Sequence, residues 1–458
     1  MKQRLARYRK ALQHRPLTRA SGVVRRISGL CIEATGLRVG VGEQCTIKLP
    51  PATDAVGAGD RQIEAEVVGL TSDSIVLMPY APTFGLATGC EVTARGTRAC
   101  IGVGTALLGR VLDAFGRPLD GLPAPATTGQ RDLMASAPRA LQRKRIAEVL
   151  ETGVRAIDGL LTLGKGQRTG IFAGSGVGKS TLLGMVAKHV KADVNVIALI
   201  GERGREVREF VENHLGETGL ARSVVIVATS DEPALARVRA AYAAVAIAEH
   251  FRGEGRHVLF TMDSVTRFAM ARREIGLAAG EPPTARGYTP SVFAELPQLC
   301  ERCGTHQGEG SITALMTVLV EGDDFNEPVS DHLRATLDGH IILSRQLAHA
   351  GHYPAIDILQ STSRVMPDVV TADDRTLVRE VVALLALLER NRQLVDIGAY
   401  EAGSNPELDR ALHVKPALVQ WLQQQQAGVA RREAMRLLEA IVAQVRQAVA
   451  VPAPRGRP

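Results

Sequence analysis

A chain of 458 residues is too long for one compact core and implies two or three domains. With 45% apolar and 22% charged residues the composition is ordinary for globular proteins, which argues against a disordered or fibrous chain, and no apolar run reaches membrane-spanning length. The net charge of +7 is local: nine of the 55 Lys and Arg fall within residues 1–30, without one acid, so the rest of the chain is close to neutral and has no basic body.

That basic stretch comes first, as an arm over residues 1–22. It reads either as a solvated terminus or as a basic helix that docks on anionic lipid or an acidic partner. Residues 23–97 then alternate with period two. Cys45, Ile47 and Leu49 point one way in "CTIKL", and Ile63, Ala65 and Val67 in "IEAEV". Gly and Pro break the runs, so a small antiparallel barrel or sandwich is expected. Over residues 98–370 apolar strands alternate with helices: "QRTGIFA", "NVIALI", "RSVVIVAT", "RHVLFTMD" and "SITALMTVLV" are strands, and the Ala-rich run from Pro233 to His250 is a crossover helix. This is the rhythm of a parallel α/β sheet covered on both faces. Over residues 371–450 strand signals fade, and Val378, Val381, Val382, Leu385 and Leu388 share one helical face. The tail, 451–458, is rich in Pro and Arg and is expected to be disordered.

Six cysteines and no secretory signal make disulfides unexpected and a reducing cytoplasm the default location. Cys300 and Cys303 form one CxxC. A zinc site needs a second ligand pair, which is not visible, so two small buried or half-buried helix residues are the simpler reading.

The strongest chemical signal is "AGSGVGKS", Ala173 to Ser180. It has phosphate-loop spacing, with Ala173 where the strict pattern has Gly. Gly174, Gly176 and Gly178 let the backbone curl around Ser175 and Val177 so that N–H groups converge, and the following helix adds its positive end. Lys179 supplies a mobile cation for the terminal phosphates of ATP, Ser180 a hydroxyl for Mg2+, and Thr181 the next helical position. "VLFTMD" ends a strand in Asp263, a carboxylate suited to a Mg2+ water, though strands often end in Asp. Glu202 follows the strand "NVIALI" and reads either as the group that activates water or as an acid at a strand–helix turn.

Four long segments, "GLLTLGKGQRTGIFAGSGVGKSTLLGMV", "ADVNVIALIGERGREVREF", "REIGLAAGEPPTARGYTPSVFAELP" and "LDGHIILSRQLAHAGHYPAIDIL", resemble the ATPases of type III protein export. That family serves injectisomes and flagella and is related to the catalytic subunit of rotary ATP synthases. The resemblance runs from about residue 20 to the C-terminus. It implies a RecA-like core between an N-terminal β-barrel and a C-terminal helical domain. It also implies site roles. Glu202 is the catalytic carboxylate, Arg203 helps organise the site, and Arg267 in "DSVTRF" lies near the phosphates. Tyr353 in "HYPAID" packs on adenine, and Arg364 in "STSRVM" is the arginine finger given to the neighbouring subunit. From the residues alone, Arg364 reads rather as a plain salt-bridged loop residue. "EGDDFNEPVS" resembles the segment facing a central channel, its acids otherwise serving as turn formers or caps. The implied partners are five further copies in a homohexamer, a central-stalk protein, a peripheral stator-like regulator, secretion substrates with their chaperones, and the export apparatus at the inner membrane.

Three uses of the energy compete. Protein export is favoured, with the injectisome branch ahead of the flagellar one on "VTRFAMARREIGLAAGEPPTARGYTP" and "EGDDFNEPV". A rotary synthase subunit fits less well, because one chain carries both Glu202 and Arg364 and suits a ring of identical copies. A ring-shaped nucleic-acid motor is disfavoured, because no basic patch is interleaved with stacking aromatics; no nucleic-acid partner is expected. The cysteines of "LCERCG" leave room for redox sensitivity.

Overall fold

The computed structural model describes residues 20–50, 61–320, 322, 324–425 and 428–450. The first nineteen residues of the basic arm and the tail 451–458, with the docking and disorder expected of them, lie outside the described residues.

Six strands open the described chain: β1 (Ser21–Ser28), β2 (Cys31–Thr35), β3 (Glu43–Lys48), β4 (Gln62–Leu70), β5 (Ile75–Pro79) and β6 (Glu91–Arg98). They close into an antiparallel barrel in the order β1-β2-β5-β4-β3-β6. The alternation read in the sequence is the inside–outside pattern. Cys45, Ile47, Ala65 and Val67 have no exposed surface, and Leu49 and Ile63 are also buried. The barrel sits on the core through Arg239, whose guanidinium lies 4.5 Å from the Phe115 ring and 5.5 Å from Tyr80.

The core is a nine-stranded sheet. From one edge to the other it runs Ile356–Ser363, Gly339–Leu343, Arg168–Ala173, Ser311–Leu319, His257–Asp263, Val194–Ile200, Ser223–Ala228 and Arg110–Leu112. The short strand Gly304–Thr305 pairs with Ser311–Leu319 off this path. Pairing is parallel from Gly339–Leu343 onwards, and the edge strand Ile356–Ser363 is antiparallel. Strand Val194–Ile200 is buried on both faces, which explains its unbroken apolar run. Val196, Ala198 and Ile200 join one core cluster; Ile197 and Leu199 join the other.

One face carries the helix Ala234–Gly253, where Ala240, Ala241, Ala243, Ala244, Ala246 and Ala248 have no exposed surface. Small side chains let a helix lie close over the strands. Its Glu249 meets Arg302 at 2.8 Å, both side chains 3% exposed. Cys300 lies in the helix Pro290–Arg302 and Cys303 just past its end; both are fully buried. Burial pushes the Cys303 thiol up to about 12 and Cys300 higher still. Their burial disfavours the thiolate form.

The other face carries the helix Lys179–His189 and, beyond it, the C-terminal helices Ala372–Arg390, Pro406–Leu422 and Arg431–Ala450. Val378 and Val381 are buried as their spacing implies, with Val382 and Leu385 half-buried against the same cluster. Trp421 closes this region, its Nε1–H donating to the Ala434 carbonyl at 3.0 Å. Among the described residues no strand follows Ser363.

Candidate functional site

The strand Arg168–Ala173 runs through the middle of the sheet and delivers the loop at its C-terminal edge. Ala173 is the last strand residue and 1% exposed. Its φ is not in the left-handed region, so Gly is not needed at that position. Gly174 is buried, Ser175 and Gly176 are exposed, and Val177, 2% exposed, pins the turn to the core. Gly178 has φ 89°, and the Tyr353 ring carbons lie 3.2–3.3 Å from where its Cβ would be. A side chain there would be strained by the backbone and would strike the tyrosine. The same contact brings Tyr353, still 41% exposed, onto the loop.

The helix begins at Lys179 with no side chain capping its first turn, leaving N–H groups for an anion. Ser180 is half-buried and Thr181 exposed in that turn. The Lys179 ammonium pairs with Asp263 Oδ1 and stands 3.5 Å from Glu202 Oε1. Burial alone would lower its pKa, but the two carboxylates outweigh burial and hold it above the usual lysine value.

Glu202 leaves the sheet two residues beyond strand Val194–Ile200, its side chain 13% exposed. Burial raises its carboxyl to about 7, helped by a hydrogen bond shared with Glu206 and opposed by Lys179. Glu206, more exposed, is shifted down by the same bond. Asp263 is 3% exposed and accepts from Thr317 Oγ1 at 2.8 Å. Next to it, Ser264 caps the helix Val265–Ala278 by accepting from the Arg267 N–H. The stem of Arg267 packs on Gly201, where an added Cβ would lie 2.8 Å from it. Its buried Nε has no hydrogen-bond partner.

Lys179, Glu202, Asp263, Arg267 and Tyr353 thus gather around the loop. Arg203 does not: its side chain is 80% exposed and lies 3.7 Å from Glu206. Arg364 sits at the opposite edge of the sheet. Its N–H donates to the Asp338 carbonyl at 3.0 Å, and the Asp338 N–H to the Arg168 carbonyl at 2.8 Å. Its guanidinium rests on the carbonyls of Leu337 and Arg334, at 3.3 and 3.2 Å, rather than on an acid. From Arg168 to the end of its strand is about 16 Å, at about 3.3 Å per residue. Arg364 therefore does not reach the loop of its own chain. In "EGDDFNEPVS", Asp324 is a turn former, accepting from Asn326 N–H at 3.0 Å and pairing with Arg286 at 2.5 Å.

Two contacts escaped sequence reasoning. Thr317 stands in an otherwise apolar run, and only its type hints at a polar neighbour. Gln424, 6% exposed, has its N–H donating to the Tyr353 carbonyl at 2.8 Å while its side chain holds Gly153 and Arg155; nothing local signals this.

The residues fit a magnesium nucleotide. An uncapped helix start and an ammonium suit phosphates. Among the described residues no cluster of three or more His, Cys, Asp or Glu forms a metal cage. Mg2+ needs none when phosphates and water supply most ligands, with Ser180 and Asp263 as the protein groups.

Comparison with known proteins agrees along the chain. The beta-barrel domain of the ATP synthase alpha/beta family matches residues 24–96, the family's nucleotide-binding domain 153–363, and the T3SS EscN ATPase C-terminal domain 370–450. The "Flagellum-specific ATP synthase" of Bacillus subtilis (strain 168) is 53% identical over 403 residues, 88% of this chain and 90% of that protein. The "Type 3 secretion system ATPase" of Xanthomonas euvesicatoria is 48% identical over 406 residues, 89% of this chain and 90% of that protein. The assembled ATPase EscN of enteropathogenic E. coli, solved in complex with its central stalk EscO, superposes with a TM-score of 0.84 at 43% identity, covering 92% of this chain and 100% of that one. Both branches match nearly end to end, so the injectisome leaning drawn from the sequence is not separated from the flagellar branch. Barrel, nucleotide-binding core and EscN-type helical domain follow one another in a single chain, which belongs to the ATP synthase alpha/beta family, among the ATPases of type III protein export.

Proposed function

We propose that this chain, an ATPase of type III protein export, completes each of its sites with a second copy of itself. The observation that carries the reading is the gathering of Lys179, Glu202 and Asp263 beside an uncapped helix start. Lys179 moves from its carboxylates to the phosphates. The N–H groups from Gly174 to Lys179 cradle them, and Tyr353 offers its ring to adenine. Mg2+, when bound, neutralises charge on the phosphate oxygens. Glu202 takes a proton from water as the water oxygen bonds to the γ-phosphorus; the bond from that phosphorus to the bridging oxygen breaks, and ADP and phosphate leave. A carboxyl near 7 is suited to accept that proton at neutral pH. Arg267 supplies a further donor.

Arg364 lies at the far edge of its own sheet, which supports a role as the finger given to a neighbour. Identical copies joined head to tail close into a ring, and we assign six to it as in the family. The EscN–EscO complex supports a central-stalk partner. A stator-like regulator, chaperoned substrates and the inner-membrane export apparatus complete the proposed assembly. We place it in the cytoplasm, peripherally attached. Among the described residues no helix is long and apolar enough to cross a membrane.

The test mixes two inactive proteins. Lys179→Ala lacks the cradle cation and Arg364→Ala the finger. In mixed rings about a quarter of the seams pair an intact cradle with an intact finger, so activity returns to about that fraction. No return of activity in rings shown by differential tags to be mixed refutes the shared site.

A further inference from the structure

Strand Ser311–Leu319 lies between the strand that feeds the phosphate loop and the strand that ends in Asp263. It is buried over nearly its whole length. Alternation puts Thr313, Leu315 and Thr317 on one face, and Leu315 belongs to the cluster that contains the helix after the loop. Thr317 has no exposed surface. A hydroxyl there is costly unless it is bonded. It is bonded: Oγ1 lies 2.8 Å from Asp263 Oδ1 and 3.2 Å from the Met262 carbonyl. One proton serves one acceptor at a time, and the nearer, charged oxygen is the stronger.

The register explains the meeting. Met316 stands opposite Met262, so the next residue along each strand, Thr317 and Asp263, are level at the sheet edge. Lys179 also holds Oδ1. Its long side chain is free to leave for phosphate; Thr317, β-branched and fixed in a central strand, is not.

We propose that Thr317 is a positioning residue for the Mg2+-side carboxylate. Its hydroxyl keeps Oδ1 of Asp263 bonded once Lys179 has moved to the phosphates, fixing the carboxylate that would take up a water of the ion. This rests on the reading of Asp263 given above. Groups that orient a metal-side ligand typically change metal affinity by about 10–100-fold when lost.

The experiment compares Thr317→Val, Thr317→Ser and Asp263→Ala as full chains. Mg2+ is titrated against two readouts: ATP turnover, and equilibrium binding of a fluorescent ATP analogue with and without Mg2+. For Thr317→Val, half-maximal Mg2+ rises about tenfold in both readouts, while Mg2+-free binding stays within about twofold. Thr317→Ser, which keeps the hydroxyl, restores the response to within about threefold. If Thr317→Val folds poorly, Thr317→Ala gives the same Mg2+ shift. A wild-type Mg2+ response in Thr317→Val beside a lost response in Asp263→Ala overturns the role of Thr317 alone. A wild-type response in Asp263→Ala overturns the reading of Asp263, and this proposal with it.

Discussion

Glu202→Gln separates a carboxylate held for chemistry from one that merely decorates a turn. In the fold its carboxyl stands at about 7 against an ordinary 4.5. The proton is therefore bound more tightly in the folded chain than in the unfolded one. The stability this group contributes is greatest below about 4.5 and falls as pH rises towards 7, because the unfolded chain then releases a proton the folded chain keeps. A shift of that size costs the native state about 3 kcal/mol above pH 7. Gln mimics the protonated acid at every pH and avoids the loss. Thermal unfolding of Glu202→Gln, followed by calorimetry, should lie about 3 °C above wild type at pH 8 and close to it at pH 4.5–5. ATP turnover should fall by at least about a hundredfold while nucleotide binding persists. A variant less stable than wild type at pH 8, or one with the same gain at both pH values, refutes the reasoning; near-native turnover refutes the catalytic role.

Tyr353→Ala should raise the KM for ATP about tenfold, in line with about 1–3 kcal/mol per stacked base, with kcat nearly unchanged; equal losses in both would mean the ring serves the fold instead. Arg302→Ala leaves Glu249 buried and unpaired, at a cost of about 3–5 kcal/mol, read as a lowered melting temperature. Replacing both partners, Arg302→Met with Glu249→Gln, should recover much of that loss, and no recovery would show that the cost is packing. A thiol reagent on the native protein should label the half-buried Cys100 before Cys300 or Cys303; the reverse order would contradict their burial.

Much of this was legible from pattern. Period-two runs gave the barrel because its strands have one wet face, so Cys45, Ile47 and Ala65 alternate cleanly with polar neighbours. The loop from Ala173 to Ser180 carries its chemistry in consecutive residues, so it is readable without a fold. Positions far apart in sequence behave differently. Tyr353 over Gly178, Thr317 against Asp263 and Gln424 behind Tyr353 are products of strand order and register. A family resemblance marked Tyr353; only its residue type hinted at Thr317, and nothing marked Gln424. Arg364 shows the limit most plainly. Its motif gives its type, but only the antiparallel edge strand, pairing Ser363 with Gly339, puts it at the end of the sheet away from its own loop.

That separation also gives the proposed assembly a direction. A contact that matches one edge of a sheet to the opposite edge of the next copy has no local two-fold and cannot be turned over. Every barrel then stands at one height around the ring, and every C-terminal helical unit at another. The two mouths of the ring therefore present unlike chemistry, one formed by barrels and the other by helices.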